Sequence, residues 1–551
     1  MTEAALPLIV VFPLFGGALA MGGKLFRPLS PVFRVLSAAG LAGALAILVN
    51  LAAPVLAGRT LSASLGGWPE PYGITLVMDG FAWITALLIA VVSLLVAIFA
   101  LSGRKYNSTF FFFYHLLVAG MFGVALTGDL FTMFVSFEIV AIAAYVLIAF
   151  EKTPTGLVAS FKYLILSSTG ILFFLFGIFL IYRDLGTLSI AVAKDALAAA
   201  GGIRNTSSVH LALASLCVGI GVRTAFIPFH TWLPEAHAYA PHPVSALLSG
   251  VLIKVSFIAM ARILLQFGGS YLSDLLLWIG AFTALVAVIS ALAQSDAKRL
   301  LAFHSISQMG YILAVFSAGS AVALTASFAH ALNHALFKSL LFLTVGTAVE
   351  HSGERNLYRI RPMGRVMPLF AAAFFVGALS ISGIPPFNGY ASKNIITLGM
   401  KGSPAYVLLW ITSFCTIASF IKLSRIYLPL PVMGGRKKLP RPGILAGVSV
   451  AVLAVLCLGT GLLGAPVMEL LHRLLYTGTF TEELTMFSPG KFLALVPPVL
   501  LGTGVFLLLG TAGVKKYAQK IKNMTPNLET VLVFFFIGLL LFAAFGFMRK
   551  G

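Results

Sequence analysis

The sequence predicts an all-α polytopic membrane protein with about 14 to 16 transmembrane helices, since each helix needs about 20 apolar residues. Composition is the first observation behind this prediction. Of the 551 residues, 59% are hydrophobic and 10% are charged, and the mean hydropathy is +1.01. Soluble proteins carry about 25% charged residues, so a series of soluble domains is excluded. The second observation is a succession of long apolar runs without strand-like alternation, which favours helices over a barrel.

Sixteen apolar runs have the length of a transmembrane helix. The predicted spans are residues 5–22, 36–57, 80–102, 109–127, 129–150, 163–182, 208–228, 243–266, 272–294, 299–318, 321–348, 366–400, 405–424, 443–464, 492–511 and 531–548. No basic segment precedes the first run, so we expect it to be a span and not a cleaved signal peptide.

The basic residues predict the orientation of these spans. Of the 37 Lys and Arg residues, 23 fall in loops that follow odd-numbered spans and ten on the opposite side. Because cytoplasmic loops are enriched in basic residues, we expect both termini on the outer side of the cytoplasmic membrane. The net charge of +20 is therefore explained by orientation in a lipid bilayer, and nucleic-acid binding is not expected.

Five charged residues lie well inside predicted spans, away from their ends: Glu138, Arg223, Lys254, Lys338 and Lys393. An ionisable group at mid-bilayer costs at least about 2.5 kcal/mol, so each needs a structural or functional reason. Buried ion pairs that lock helices together are one interpretation. A row of groups that gain and lose protons is the other. Their spread over separate helices favours the proton path, since small residues and hydroxyls pack helices at lower cost.

Histidines are candidate intermediate positions on such a path. His330, His334 and Lys338 are spaced i, i+4, i+8 and share one face of the eleventh span. The alternative is that they are polar residues packed against the protein interior, but Ala, Leu and Phe dominate the rest of this helix. His304 begins a polar stretch in the tenth span, where side chains either hold water or hydrogen-bond neighbouring helices.

Two predicted spans, the seventh and the twelfth, are broken by proline or glycine. The breaking residues are Pro228 and Pro234 in the first case and Gly383, Pro385 and Pro386 in the second. Proline removes a helical hydrogen bond, and freed carbonyls at membrane depth must be buried in protein or line a polar cavity. Matched breaks in two halves of a transporter indicate the ion site. An odd number of helix steps separates these breaks, so we expect two inverted five-helix repeats.

The repeats define the expected organisation of the chain. Residues 1–105 form N-terminal helices one to three, and residues 106–267 form a first half-channel of helices four to eight. Residues 268–428 form a second half-channel of helices nine to thirteen, and residues 429–551 form C-terminal helices that dock a partner.

These segments resemble the antiporter-like proton-translocating family. It contains large membrane subunits of respiratory complex I, large subunits of Mrp-type antiporters, and their counterparts in membrane-bound hydrogenases. Five segments carry the resemblance, in family order: Gly128-Asp129-Leu130-Phe131 leading to Glu138, Pro228 to His237, Leu252-Ile253-Lys254, His330 to Lys338, and Gly383 to Lys393. The resemblance implies that Glu138 is the essential glutamate, with Asp129 and His230 in supporting positions.

Two features depart from the family pattern. The lysine of the family's seventh helix corresponds to Arg223, and a guanidinium stays protonated, so it can pair with Glu138 but cannot deliver a proton. Two further apolar runs, 492–511 and 531–548, extend the C-terminal end. Two spans that dock a partner subunit explain the basic residues between these runs better than a lateral helix does.

Together these residues predict a subunit that moves protons, with exchange for sodium left open, and that has no chemistry of its own. The sequence contains no nucleotide-binding loop, and its three cysteines lie in apolar runs without metal-ligand spacing, so no cofactor or metal is expected. Energy must come from an ion gradient or from other membrane subunits of a multisubunit complex. The alternatives are a sodium or solute carrier, a haem- or quinone-binding redox protein, and a non-conducting scaffold.

Overall fold

A computed structural model gives the fold of the chain. It describes residues 3–103, 105–202, 207–268, 272–428, 442–476, 480 and 485–509, together with 511, 513, 519, 520, 530, 533, 534, 536–541 and 544. The α-helices, numbered in chain order, are α1 (Leu6–Leu25), α2 (Ser30–Asn50), α3 (Ala52–Leu56), α4 (Gly80–Leu101), α5 (Ser108–Leu126), α6 (Leu130–Ile148), α7 (Pro154–Leu185), α8 (Ile190–Ala199), α9 (Ser207–Thr224), α10 (Leu233–Tyr239), α11 (His242–Leu247), α12 (Ile253–Gln266), α13 (Ser273–Ala293), α14 (Ala297–Ser317), α15 (Ala321–Ser352), α16 (Pro368–Ser382), α17 (Asn388–Gly399), α18 (Ala405–Ser424), α19 (Ile444–Leu462), α20 (Gly464–Leu475), α21 (Pro489–Leu493) and α22 (Val496–Leu508).

Most of the predicted spans correspond to helices of the structure. Within the described residues, 13 helical segments are long and apolar enough to cross a membrane. They match predicted spans one to six, eight to eleven and thirteen to fifteen. The shorter apolar helices α9 and α16 occupy the positions of spans seven and twelve. The sixteenth predicted span, 531–548, lies mostly outside the described residues. The predicted multi-pass helical fold is thus confirmed.

Several helices begin earlier than predicted, which moves basic residues from loops into helices. The helices α2 and α7 start before the predicted positions 36 and 163. Proline stands in the first turn of each helix, where its missing N–H costs no intrahelical hydrogen bond. Arg34 and Lys162, which were predicted to lie in cytoplasmic loops, therefore lie on helices, and Lys162 forms an ion pair with Glu235 at 2.7 Å.

A short antiparallel hairpin between α3 and α4 was not predicted. Strand β1 (Leu61–Ser64) pairs with strand β2 (Thr75–Met78), with Leu61 opposite Met78. Each strand has four residues, too few for the alternation of apolar and polar residues on which strand prediction depends. The hairpin lies between two membrane helices and leaves the helical character of the fold unchanged.

Small residues allow the closest helix pairs to pack backbone against backbone. A Cβ atom added to Gly310 of α14 would lie 2.4 Å from Ala284 N of α13. A Cβ atom added to Gly280 of α13 would lie 2.4 Å from Ala314 N of α14. Such contacts replace the hydrophobic driving force that membrane helices lack in lipid. They hold α14 and its polar side chains firmly against α13.

Replacement of Gly310 by alanine is expected to lower the thermal stability of the protein. The new methyl group would overlap the backbone of α13, and overpacking of this kind costs about 1–3 kcal/mol. Gly459→Ala in α19 is the matched control, because nothing lies within 4 Å of a Cβ atom at that position. Gel filtration after heating in detergent should show earlier loss of the folded peak for G310A alone. Equal profiles for the two variants would contradict the close contact of α13 and α14.

Both predicted helix breaks are present. The chain leaves α9 at Thr224 and resumes a helix at Leu233, and it leaves α16 at Ser382 and resumes at Asn388. Trp232 Nε1 donates a hydrogen bond of 2.7 Å to Val222 O, so an indole satisfies a carbonyl at the end of α9. The broken helices are thereby confirmed, whereas the inverted repeat and the four domain boundaries stay predictions.

Candidate functional site

Among the described residues, an ion pair joins α6 and α9, two helices at the positions of predicted spans five and seven. Arg223 Nη2 lies 3.4 Å from Glu138 Oε1, and the guanidinium carbon lies 4.9 Å from the centre of the Phe137 ring. The Arg223 side chain is 1% exposed and that of Glu138 is 35% exposed. Neither Nε nor Nη1 of Arg223 has a hydrogen-bond partner among the described residues. The pair predicted from the sequence is therefore close but loosely held.

Asp129, predicted as a supporting residue, caps the helix that carries Glu138. Its Oδ1 accepts a hydrogen bond of 2.6 Å from Thr132 N, and Thr127 Oγ1 donates to Oδ2 at 3.3 Å. A carboxylate at the first turn of a helix accepts a hydrogen bond from a free backbone N–H, and its negative charge interacts favourably with the helix dipole. Asp129 therefore has a structural role, because it stabilises the first turn of α6.

Lys254 lies directly after an irregular turn that the sequence analysis did not predict. Between α11 and α12, residues 248–252 form a π-helical turn, which widens the helix and frees backbone groups. Lys254 is fully buried, and its Nζ donates a hydrogen bond to Ser249 O in this turn. The Ser249 hydroxyl is also 2.6 Å from that of Ser305 on α14. The ammonium group is therefore held by a backbone carbonyl at a helix defect.

Lys338 occupies a comparable position on α15. Its side chain is fully buried, and Nζ donates a hydrogen bond of 2.7 Å to Leu301 O of α14. The Phe342 ring centre lies 5.7 Å from the same nitrogen. Lys254 and Lys338 are near enough for their charges to interact. The two lysines predicted on separate helices are thus brought into one electrostatic neighbourhood.

His330 connects α15 with two other helices. Its Nε2 is 2.9 Å from Gln308 Oε1 of α14, and its Nδ1 is 2.9 Å from Ser392 Oγ of α17. Because an amide oxygen only accepts, Nε2 carries a proton. The His334 ring lies beside the His330 ring, as the spacing on the helix predicts. The two ring centres are 6.3 Å apart and the ring planes are nearly parallel. Neither nitrogen of His334 has a protein partner within the described residues.

The two supporting histidines occupy different positions. His304 of α14 is fully buried, and its Nε2 is 2.8 Å from Ser419 Oγ of α18. It is within electrostatic reach of Lys338, Lys393 and Lys422. His230 lies in the first helix break, where the buried Nδ1 has no protein partner in the described part of the chain. His304 is thus part of the lysine neighbourhood.

Lys393 of α17 extends across the second helix break to the end of α16. Its Nζ donates a hydrogen bond of 2.9 Å to Ile381 O in the last turn of α16 and one of 3.4 Å to Ser413 Oγ. A cation at a helix C-terminus is favourable, because the free carbonyls carry partial negative charge. Lys393 also lines a cavity of about 390 Å³ with Tyr311 and Asn394, bounded on one side by the start of α22.

The three membrane lysines share one chemical feature. Within the described residues, the ammonium groups of Lys254, Lys338 and Lys393 have no carboxylate partner closer than 4.0 Å. Backbone carbonyls and hydroxyls solvate them instead. The interpretation as ion pairs that lock helices together therefore does not apply to these residues. A lysine held by neutral oxygens keeps the ability to release its proton.

Two residues of this region, Lys298 and His237, could not be assigned correctly from the sequence. Lys298 was predicted in a loop but lies in the first turn of α14, 6% exposed, and donates a hydrogen bond of 2.5 Å to Ala240 O. His237 was part of a motif without a role, yet it is fully buried and neither ring nitrogen has a partner in the described structure. The segment from Pro228 to His237 could have identified His237 as a candidate site residue. No signal in the sequence indicates that Lys298 is buried.

Fold and site together define a polytopic membrane protein with two broken helices and with lysines and histidines buried or partly buried on α12, α14, α15 and α17. Comparison with known proteins names the family. The NADH:quinone oxidoreductase/Mrp antiporter transmembrane family matches residues 127–421, and the chain belongs to this family. NADH-quinone oxidoreductase subunit N of Desulforudis audaxviator (strain MP104C) is 36% identical over 454 residues, which cover 79% of this chain and 89% of that protein.

Two further comparisons agree with this assignment. A subunit of the Na(+)/H(+) antiporter of Alkalihalophilus pseudofirmus is 29% identical over 401 residues, which cover 72% of this chain and 81% of that protein. A chain of the Mrp complex from Dietzia sp. DQ12-45-1b has a TM-score of 0.78 and 25% identity, with 91% of this chain and 99% of that chain covered. The protein is therefore a multi-pass membrane protein whose structural relative is part of a multisubunit complex.

Proposed function

We propose that the chain is the proton-translocating membrane subunit of a multisubunit complex in the cytoplasmic membrane, with both termini outside. The observation that carries the proposal is the series of membrane lysines held by neutral oxygens. Lys254 and Lys338 are fully buried, and Lys393 faces a cavity. Burial of an ionisable group without a counter-charge is costly unless the group loses its charge during function.

The proposed path runs along the second half of the chain, in the plane of the membrane. Protons pass between Lys254 and Lys338, then through His334 and His330 to Lys393, which exchanges them with one aqueous side. His330 supports this order, because its two nitrogens contact Gln308 and Ser392, the latter one residue from Lys393. His334 has no protein partner among the described residues, so a water molecule or a shifted side chain completes the path there.

The Glu138–Arg223 pair acts as the charged element of the first half-channel. Opening or closing this pair changes the field on Lys254 and so its tendency to hold a proton, as expected for coupled ionisable groups. Arg223 takes no proton itself. The two half-channels are residues 106–267 and 268–428, related as inverted repeats, and residues 429–551 dock a partner subunit.

Exchange of protons for sodium is a second candidate function. The name of one relative, which is a subunit of an Na(+)/H(+) antiporter, favours it, since that protein matches 72% of this chain. Vesicles that contain the complex distinguish the two functions. Proton translocation that requires external sodium would favour exchange, and translocation independent of sodium would favour a proton pump driven by partner subunits.

A redox role that uses histidines as haem ligands is disfavoured by the contacts of His330. Both its ring nitrogens already have side-chain partners, at 2.9 Å each, so ligation of iron would require breaking one of these contacts. A non-conducting scaffold is disfavoured by the two fully buried lysines, since apolar residues would pack the same helices at lower cost.

Replacement of Lys393 by glutamine is expected to stop translocation in vesicles that contain the whole complex. A positioned proton-transfer group contributes about a hundredfold or more to a rate, and glutamine cannot carry the proton. Lys401→Gln is the matched control, because Lys401 is exposed just beyond the end of α17 and loses the same charge. Quenching of a pH-sensitive dye measures the rate.

The result that would contradict the proposal is equal translocation by K393Q and K401Q at equal amounts of assembled complex. The same preparation should be measured with and without sodium, so that one experiment also decides between pumping and exchange.

A further inference from the structure

A cluster of ionisable groups lies where the loops after α4 and α6 meet the ends of α11, α14 and α15. Its members are Lys105, Glu151, His242, Lys298 and Glu350. Lys105 Nζ lies 2.9 Å from Glu151 Oε1 and 2.8 Å from Glu350 Oε1. All five belong to the side of the membrane predicted to be cytoplasmic, so the cluster joins this aqueous face to the helix bundle.

Glu350 and His242 form a contact between the exposed part of the cluster and the protein interior. The Glu350 side chain is 43% exposed, and its second oxygen, Oε2, lies 3.2 Å from His242 Nδ1. The His242 ring is buried, since Phe99 packs edge-on at 5.2 Å and a Cβ atom on Gly346 would lie 2.2 Å from His242 Cβ. A water-exposed carboxylate therefore contacts a histidine held tightly inside the protein.

Buried groups continue from His242 toward the membrane lysines. His242 is within electrostatic reach of Lys298, whose Nζ donates to Ala240 O at 2.5 Å. His237 is in turn within electrostatic reach of Lys298, Lys254 and Lys338. It is fully buried and neither ring nitrogen has a protein partner within the described residues. The groups thus interact electrostatically in succession, from the exposed Glu350 to the buried Lys254 and Lys338.

We propose that Glu350 and His242 form a proton port that connects the cytoplasmic face, through Lys298 and His237, to Lys254 and Lys338. The port deepens the proposed function and depends on it. In one transfer, Glu350 takes a proton from hydronium in bulk water and passes it to Nδ1 of the neutral His242 ring, whose Nε2 proton passes to the neutral amine of Lys298. The ring regains its Nε2–H tautomer before the next transfer. Glu350 then returns to its carboxylate form.

The surrounding charges suit this role. Burial by itself would lower the pKa of Lys105, but its hydrogen bonds with Glu350 and Glu151 raise the pKa above the usual value. Lys105 therefore stays protonated at physiological pH and holds the Glu350 carboxylate in place. Burial of the His242 ring, and then the nearby Lys105, Lys298 and His351, oppose a lasting positive charge on it. A proton that reaches His242 is therefore passed on and not retained.

The cluster also contains a matched control for the port. Glu151 and Glu350 contact the same Lys105 nitrogen at nearly the same distance and are similarly exposed. Glu350 alone of these two carboxylates contacts His242. If the cluster served only to tie loops together, loss of either carboxylate would have the same effect. If it is a proton port, only the loss of Glu350 interrupts the path.

The test compares Glu350→Gln with Glu151→Gln in vesicles that contain the complete complex. We expect Glu350→Gln to slow translocation by about a hundredfold, the usual contribution of a positioned proton-transfer group. Glu151→Gln should leave the rate near that of the unmodified protein. Azide, a small permeant weak acid, should restore the rate of Glu350→Gln by delivering protons directly to His242. A purely structural role gives no reason for such rescue.

Equal rates for the two variants, or a slow Glu350→Gln variant that azide does not restore, would overturn the port. If Glu350→Gln fails to assemble, His242→Gln can be compared with Glu151→Gln instead. Lys393→Gln separates the two proposals. If that variant translocates normally, the proposed function fails; if it does not translocate but Glu350→Gln does, only the port fails.

Discussion

Replacement of Glu138 by glutamine is expected to abolish proton translocation while the complex still assembles. Glutamine keeps the shape of the side chain but neither carries the negative charge nor exchanges a proton. The only carboxylate within 4.0 Å of Arg223 in the described structure is then lost, and with it the means of changing the field on Lys254. The Glu138 side chain is 35% exposed, so its loss should cost less stability than loss of a fully buried charge.

The measurement is dye quenching in vesicles at equal amounts of assembled complex. Glu469→Gln is a suitable control, since Glu469 is an exposed carboxylate on α20. We expect the control to translocate normally and Glu138→Gln to lose at least about a hundredfold, as for other proton-transfer groups. A full gradient built by Glu138→Gln would show that the first half-channel does not require an acid at this position.

Replacement of Arg223 has two expected results, which depend on the residue introduced. Arg223→Met leaves Glu138 without its cation, and a carboxylate at membrane depth without a counter-charge neutralises itself by binding a proton. Translocation should then fall to the level of Glu138→Gln at every pH. Arg223→Lys restores a cation, but a buried lysine can lose its proton whereas a guanidinium cannot. We expect a normal rate at neutral pH and a decline in the alkaline range.

The pH dependence of translocation is therefore the informative measurement. The unmodified protein should keep its rate at alkaline pH, where Arg223→Lys declines, because arginine holds a fixed charge. Identical pH profiles for arginine and lysine would mean that the departure from the family's lysine has no functional effect. A normal rate for Arg223→Met would show that the pair is structural.

The helices and the ionisable residues inside them could be predicted from the sequence because lipid imposes a strict local rule. A membrane helix must be long and apolar, so length and composition located fifteen of the predicted spans in the described structure. The same rule made Lys254 and Lys338 conspicuous, and proline located both helix breaks. The boundaries were less accurate: α7 begins at Pro154, because proline fits a helix start.

Contacts between distant segments could not be predicted in this way. The spacing on α15 aligned His330 with His334, but the contacts of His330 with Gln308 and Ser392 depend on how three helices pack. The π-helical turn before Lys254 has no sequence signal beyond a glycine near a serine. Its backbone lies against Ser339, since a Cβ atom on Gly250 would lie 2.1 Å from that hydroxyl.

The sequence by itself determined which segments cross the membrane and which of them carry charge, because both follow from the cost of placing polar groups in lipid. The Glu138–Arg223 pair was predicted from the sequence, but tertiary structure alone decided the partners of the membrane lysines. Arg223 received a carboxylate, whereas Lys254, Lys338 and Lys393 received neutral oxygens. It also buried Lys298 and joined Glu350 to His242 across the chain. The physical reason is that partner choice depends on distances between helices, which no local pattern of residues encodes.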